Sequence, residues 1–180
     1  EQAALDELEA AQTADFESVL DAMDGLPVTV RLLDPPLHEF LPDIVDLQAR
    51  EARRELTDDE GIELAAVRRL HEANPMIGTR GVRLGVVRPG LYEMQVRALC
   101  TAAANLFAQG KRPHVENMIP LVVEAEELRI ARGWVRDVLD ELGHPELKAT
   151  VVTVGVMIET PRAALTAGEK LHNAQPAEVV

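Results

Sequence analysis

Apolar residues recur with two different periods along this chain, and the changes of period predict the order of its secondary-structure elements. Near the N-terminus they follow helical spacing at Phe16, Val19, Leu20 and Met23. A β-branched and aliphatic run at residues 28–33 then predicts a short buried strand, because such runs suit the interior of a parallel sheet. The first two elements are therefore expected to be a helix and a strand.

The rest of the chain continues this alternation. Thr57 and Glu60 have the spacing of a capping box at the start of a helix. Thr160 followed by Pro161 is typical of another helix start. Helices are expected over residues 57–71, 91–108 and 128–142 and from residue 161, buried strands over 115–123 and 149–158, and a long Gly- and Arg-rich loop over 75–89.

Strands that alternate with helices predict an α/β fold with a parallel sheet, and strands that are apolar throughout predict that both faces of this sheet are covered. Three strands are evident, whereas a closed (β/α)8 barrel needs about 250 residues. The favoured interpretation is a partial TIM-type (β/α)8 barrel, incomplete in this chain, with residues 1–180 as a single domain that is a fragment of that barrel. A small open α/β sheet is the alternative. The chain starts with Glu1 and not with methionine, so we expect it to be a piece of a longer protein.

Composition narrows the class of partner. The chain has 180 residues and a formal net charge of −13, and 3% of its residues are aromatic. An acidic chain with few rings for stacking argues against nucleic acid as a partner, and its charge argues against an anionic membrane. A single cysteine fits a reducing compartment, and no apolar run of the sequence reaches membrane-spanning length. We therefore expect a soluble cytoplasmic protein.

The end of the first predicted strand carries the first candidate site. Arg31 and Asp34 lie where the strand ends, and Pro35 and Pro36 cannot continue a central ladder. A cation and a carboxylate at the C-terminal end of a strand are typical of the working face of an α/β barrel. The alternative is an ion pair between Arg31 and Asp34 that serves structure alone.

A cluster of positive charge interrupts the acidic chain between residues 68 and 97, where six arginines accompany two glutamates, a local excess of +4. Arg80 lies between Gly78 and Gly81, and glycines let a ligand approach the backbone closely. Guanidinium groups bind phosphate or carboxylate with paired donors. Arg80 is therefore a candidate anion ligand. Three other arginines are expected to face solvent, namely Arg68, Arg69 and Arg88.

Glu159 ends the third predicted strand, beside the start of a helix. A carboxylate in that position is a reasonable ligand for Mg²⁺, which often takes one or two carboxylates together with substrate oxygens. The alternative is an interaction with the positive end of the following helix dipole. Cys100, in the middle of a predicted helix, is expected to be a small buried apolar residue.

Four motifs occur in an order that resembles one known family. They are RLLDPPLHEFLP at 31–42, NPMIGTRG at 74–81, ENMIP at 116–120 and GVMIETPRAAL at 155–165. Over residues 12–167 the chain resembles the barrel that binds phosphoenolpyruvate (PEP) and pyruvate in the pyruvate, phosphate dikinase family. Related barrels occur in PEP synthase and in enzyme I of the sugar phosphotransferase system, but these lack the DPPLHEFLP continuation.

The resemblance implies roles for individual residues. Arg31 and Arg80 match the catalytic arginines that hold the phosphoryl group of PEP. Arg97, in MQVR at 94–97, resembles a further substrate-binding arginine. Glu159 matches the carboxylate that binds Mg²⁺ and, with it, the substrate. The implied reaction interconverts ATP, phosphate and pyruvate with AMP, pyrophosphate and PEP through a phosphohistidine on a separate domain of the parent protein.

Parts of the family pattern are missing from this sequence. The family's second metal ligand lies in a Gly-Thr-Asn-Asp segment beyond the glutamate, its catalytic cysteine lies near the C-terminus, and the match fades after residue 167. The fragment alone is therefore expected to be inactive. Its open sheet edges invite pairing with another chain, so a homo-oligomer is also expected. A non-catalytic PEP-binding or interaction module derived from the same barrel is the alternative function.

Overall fold

A computed structural model describes residues 2–36, 41–144, 147 and 152–168 of the chain. The helices are α1 (Gln2–Ala22), α2 (Ile44–Arg53), α3 (Asp58–Leu70), α4 (Gly81–Val87), α5 (Leu91–Ala108), α6 (Ala125–Leu142) and α7 (Pro161–Leu165). The strands are β1 (Pro27–Arg31), β2 (His114–Ile119) and β3 (Val152–Val156), and a 3₁₀ helix occupies Pro75–Ile77. In these described ranges, no helix combines the length and the apolarity needed to cross a bilayer.

The three strands form one parallel sheet in the order β1-β2-β3, with Arg31 beside Met118 and Met118 beside Gly155. The predicted α/β class and the parallel strands are thereby confirmed. Successive strands of the chain are also neighbours in the sheet, and right-handed crossovers place the helices between such strands on the same face. The wall of a (β/α)8 barrel is built in this way. The three described strands are therefore consistent with part of a barrel.

The two faces of this sheet differ in polarity. Leu32, Ile119 and Val156 belong to the face that packs with α1, α5 and α6 into the main hydrophobic core. The opposite face carries Thr29 beside Glu116, and the Thr29 hydroxyl donates a hydrogen bond to the Glu116 carboxylate. The helices of the main core thus cover one face of the sheet, and the covering of the opposite face stays a prediction.

Local signals predicted several helix boundaries correctly. Thr57 and Glu60 form the expected reciprocal capping box at the start of α3. The bounds of α5 agree with the predicted helix over 91–108. Gly143 ends α6 with a left-handed φ of 69°, which glycine adopts without steric cost. Thr160 caps α7 by accepting a hydrogen bond from the Ala163 N–H.

The loop predicted over residues 75–89 is wrong, because this segment contains the 3₁₀ helix and α4. Asn74 starts the 3₁₀ helix, since its Oδ1 accepts a hydrogen bond from Met76 N–H at 3.1 Å. The helix α4 has seven residues, two of them glycines. It is too short to show helical periodicity, and its stability depends on burying residues such as Val82 in the core. Helix α2, to which no element had been assigned, was also missed, although Asp43 caps its start by accepting a hydrogen bond from the Val45 N–H.

The second and third strands are shorter than predicted. β2 ends at Ile119, because Pro120 offers no N–H and Leu121 adopts a left-handed φ of 57°. β3 begins at Val152 within the described residues. The predicted strand residues 149–151 lie outside the described residues, as do residues 37–40 of the first motif.

The chain divides into two compact units, Glu1–Asp34 with Gly81–Val180, and Pro35–Arg80. The first unit contains the sheet, α1 and α4 to α7. The second contains α2 and α3, which enclose a small core of their own formed by Leu47, Leu64 and Val67. The assignment of residues 1–180 to a single domain stays a prediction.

Candidate functional site

The C-terminal ends of the three strands form one edge of the sheet, and two of the predicted site residues lie there. Arg31 is the last residue of β1, and Glu159 follows the end of β3 by three residues. Because the strands are parallel, their ends meet at the same edge. The fold therefore brings Arg31 and Glu159 to one side of the sheet, while their roles toward a substrate remain predictions.

Arg31 is paired with a buried carboxylate but keeps part of its surface in solvent. Its Nη1 lies 3.7 Å from Asp34 Oδ2, and the Arg31 side chain is 50% exposed whereas that of Asp34 is 1% exposed. A guanidinium carries five N–H donors, so one contact with Asp34 leaves donors for an anion. The ion pair predicted as the structural alternative thus exists, and it is compatible with a binding role for Arg31.

Glu159 is directed along this edge toward the end of β2. Its Oε1 accepts a hydrogen bond from the Leu121 N–H at 2.8 Å, and the residue is exposed. The start of α7 is capped by Thr160, and the interaction of Glu159 with the dipole of this helix, the structural alternative, stays a prediction. A carboxylate has a second oxygen, which can bind a hard cation.

The residues present fit Mg²⁺ held mainly by substrate. Within the part of the chain that the structure describes, no three His, Cys, Asp or Glu side chains come together as a metal site. Mg²⁺ commonly uses one or two protein carboxylates and completes its shell with water and phosphate oxygens. Among the carboxylates of the described residues, Glu159 is favoured for this role by its sequence motif and by its position at the C-terminal ends of the strands.

Between these two residues, the start of α4 packs against the end of β2. The Val82 N–H donates to the Pro120 carbonyl at 3.1 Å. Gly81 has a φ of +56°, and a Cβ added to it would lie 3.0 Å from the Pro120 oxygen and 3.1 Å from Asp34 Oδ1. Only glycine allows this approach of the helix to the strand end and to the buried carboxylate.

Replacing Gly81 by alanine is expected to lower the free energy of unfolding by about 1–3 kcal/mol, because the left-handed backbone is strained for alanine and the Cβ crowds Asp34. Gly133→Ala is the matched control. Gly133 lies inside α6, and its added Cβ would meet its nearest neighbour at 4.0 Å. The free energy of unfolding of this control should rise by about 0.5–1 kcal/mol. Urea denaturation of both variants measures the difference, and equal effects at the two positions would contradict the packing described for Gly81.

Arg80 lies in the unit Pro35–Arg80, directly before Gly81 in the chain. Its loop is organised by Glu72, whose Oε1 accepts a hydrogen bond from the Thr79 N–H at 2.6 Å. The Arg80 N–H donates to the Gly78 carbonyl at 3.0 Å, and the guanidinium Nη1 lies 3.8 Å from the Met76 sulfur. The loop thus has a defined local conformation. The convergence of Arg80 with Arg31 and Glu159 stays a prediction.

Arg97 is engaged at a junction of outer helices. Its Nη2 lies 2.8 Å from Glu141 Oε2 of α6, and its Nη1 lies 3.4 Å from Glu9 Oε2 of α1. The hydrogen bond to Glu141 is the main cause of a raised Arg97 pKa. The structure does not bring Arg97 together with the strand ends, and its substrate role stays a prediction. The three arginines expected to face solvent are exposed, namely Arg68, Arg69 and Arg88.

Cys100 is buried in α5, as predicted, and burial raises the pKa of its thiol to about 12. A thiol with so high a pKa stays protonated at neutral pH and is a poor nucleophile. Cys100 is thus a core residue, in agreement with its helical position in the sequence.

Two buried polar side chains near the site were not predicted. Gln95 Oε1 accepts a hydrogen bond from the Leu33 N–H at 2.7 Å, and the Tyr92 hydroxyl donates to the Leu33 carbonyl at 2.8 Å. Tyr92 is 0% and Gln95 5% exposed. Burial, and then the negative charge of Asp34, raise the pKa of the Tyr92 hydroxyl above its ordinary value, so it remains a donor. The available signal was a Gln on an otherwise apolar helix face.

Comparison with known proteins gives the same family as the motifs. Residues 1–175 match the family described as "PEP-utilising enzyme, PEP-binding domain". The chain is 46% identical over 175 residues to pyruvate, phosphate dikinase 1, chloroplastic, of Oryza sativa subsp. japonica, which covers 97% of this chain and 18% of that protein. It is 47% identical over 178 residues to the chloroplastic enzyme of Flaveria pringlei, covering 96% of this chain and 18% of that protein. Identity to the Entamoeba histolytica enzyme is 43% over 170 residues, covering 91% of this chain and 19% of that protein.

These relatives are much longer than the chain, which spans about a fifth of their length. The match to the family model nevertheless covers nearly all of the 180 residues. The motifs at the strand ends, the parallel sheet and the identity to the dikinases agree with one another. The chain belongs to the family of the PEP-binding domain of PEP-utilising enzymes.

Proposed function

We propose that this chain binds PEP or pyruvate together with Mg²⁺ at the C-terminal edge of its sheet, as a segment of a pyruvate, phosphate dikinase. The observation that carries the proposal is the arrangement of Arg31 and Glu159 at that edge. A half-exposed guanidinium and an exposed carboxylate there supply the cation and the metal ligand that a phosphorylated enol needs. Membership of the PEP-binding family and identity to dikinases support the substrate class.

The chemistry fits these side chains. Phosphoryl transfer depends on positioning and on stabilising the charge of the transferring group. Arg31 and Arg80 would hold the phosphoryl oxygens with preorganised N–H donors. Mg²⁺ bound through Glu159 would act as a Lewis acid toward the substrate oxygens. In the parent protein the reaction would interconvert ATP, phosphate and pyruvate with AMP, pyrophosphate and PEP.

The remaining partners belong to the same proposal. A phosphohistidine domain of the parent protein would deliver the phosphoryl group, and further strands would complete the barrel. In the described sheet β1 and β3 are edge strands, and edge strands tend to pair with other chain segments. A homo-oligomer and a cytoplasmic location complete the proposed setting.

The test uses the full-length protein that contains this chain. Pyruvate formation from PEP is measured with and without AMP, pyrophosphate and Mg²⁺, for the unmodified protein and for Arg31→Ala. We expect turnover that requires all three additions and falls by about 10²–10³ in the variant. Arg136→Ala is the control, because this arginine of α6 is 73% exposed, and it should keep full activity.

The alternative function gives a different result. PEP binding without pyruvate formation would favour a non-catalytic binding module. The absence of both PEP binding and turnover in a folded full-length protein would refute the proposal.

A further inference from the structure

The segment that follows β1 is held by a helix and not by a strand. Leu32 N–H still donates to the Met118 carbonyl of β2, at 3.0 Å. One residue later, both backbone polar groups of Leu33 are bound by side chains of α5, through Gln95 and Tyr92. Side chains of α5 thus replace the neighbouring strand as the hydrogen-bond partners of the backbone at the point where the chain leaves the sheet.

We propose that Tyr92 and Gln95 are positioning residues for Arg31. By fixing both polar groups of Leu33, they hold the Arg31 guanidinium at the strand-end edge in the orientation that binds the PEP phosphoryl group. This inference rests on the proposed function. Tyr92 and Gln95 act through the backbone two residues beyond Arg31, and they make no contact with substrate.

Both side chains are buried, and Tyr92 is also held by neighbouring rings and by α4. They lie three residues apart on α5, which brings them to the same face of the helix. The Tyr92 ring packs edge-on against Trp134, with ring centroids 5.6 Å apart. Gly85 of α4 approaches both rings so closely that an added Cβ would lie 3.1 Å from each. A hydroxyl held in this packing can fix a backbone carbonyl without moving itself.

The held segment also carries the partner of Arg31. Asp34 directly follows Leu33, and its buried carboxylate forms the ion pair with the Arg31 guanidinium. A shift of the Leu33 backbone would therefore displace Asp34 and, through the ion pair, the Arg31 guanidinium. The next residues, Pro35 and Pro36, have no N–H with which to secure the segment. Misplacing a binding group by about 1 Å can cost about 10²-fold in rate.

A double-mutant cycle with Arg31 tests the proposal in the full-length protein. Tyr92→Phe removes only the hydroxyl, and Gln95→Met keeps the side-chain size but removes the acceptor. Each is expected to lower kcat/KM for PEP by about tenfold to a hundredfold. In an Arg31→Ala background, neither should lower it further, because the group that they position is gone.

Matched measurements separate positioning from simple destabilisation. Val138→Ala, in the buried face of α6, should lower the melting temperature at least as much as Tyr92→Phe. Val138→Ala should lower kcat/KM less than Tyr92→Phe does. It should lower kcat/KM by the same factor in the unmodified protein and in the Arg31→Ala background. Where turnover is too slow to measure, calorimetric titration of the same proteins with PEP and Mg²⁺ gives the dissociation constants for the double-mutant cycle.

The outcomes distinguish this inference from the function on which it rests. A large effect of Arg31→Ala together with effects of Tyr92→Phe and Gln95→Met that vanish in that background supports the inference. If the effects are additive, or if neither α5 variant changes kcat/KM, the inference is overturned while the proposed function stands. If Arg31→Ala leaves PEP turnover and binding unchanged, the proposed function fails, and the inference fails with it.

Discussion

Replacing Arg80 by lysine is expected to lower kcat and kcat/KM for pyruvate formation from PEP together, by about 10²–10³, in the full-length protein. Lysine keeps the charge but replaces a planar fork of five donors by a point charge on a flexible stem. If Arg80 holds two oxygens of the transferring phosphoryl group, the loss falls on the transition state. Steady-state kinetics with PEP as the varied substrate measures both constants.

Arg88→Lys is the matched control for Arg80. It is the same substitution at an exposed arginine just beyond α4, and we expect it to leave kcat/KM almost unchanged because the side chain faces solvent. Equal, small effects at both positions would mean that the arginines between residues 68 and 97 are surface charge only. A rise in KM with unchanged kcat at Arg80 would instead assign it to uniform substrate binding.

The second large effect is expected for Glu159→Gln, which should raise the Mg²⁺ concentration needed for half-maximal activity by about a hundredfold. Substitution of residues that merely support a metal ligand already lowers metal affinity by about 10–100-fold. Removing the charge of the ligand itself should therefore lower the affinity by an amount at the upper end of this range. Glutamine retains an oxygen that can accept the hydrogen bond from Leu121 N–H. The local backbone should therefore survive, and the change should appear in metal dependence.

Titration of activity with Mg²⁺ at saturating PEP measures this shift, and thermal unfolding without metal checks that the fold is unchanged. Asp137→Asn is a suitable control, because it also converts a carboxylate to an amide but at an α6 side chain that is 71% exposed. An unchanged Mg²⁺ requirement for Glu159→Gln would remove the metal role from this residue. A lower melting temperature without a change in Mg²⁺ dependence would assign it to the hydrogen bond with Leu121.

Local sequence determined much of the secondary structure correctly. Thr57 and Glu60 interact across three residues, and Gly143 adopts a left-handed φ without help from distant residues. The apolar residues of α6 recur about once per helical turn. Such signals depend on neighbours within four residues, so they can be recognised without knowledge of the fold. The motif positions at Arg31 and Glu159 were equally visible, because parallel strands bring their C-terminal ends to one edge.

Tertiary structure decided the features that join distant parts of the chain. The Tyr92 and Gln95 hydrogen bonds to Leu33 span 59 and 62 residues, and the Glu159 bond to Leu121 spans 38. The first two depend on how α5 packs against the sheet, and the third depends on β2 and β3 being neighbours in the order β1-β2-β3. No local pattern of residues encodes these contacts. Helix α4 was predicted as loop for a similar reason, because its stability comes from burial in the core and its sequence shows no helical periodicity. The sequence by itself determined which residues could form the site and the class of fold that carries them, and the packing of helices on the sheet decided what holds Arg31 in place.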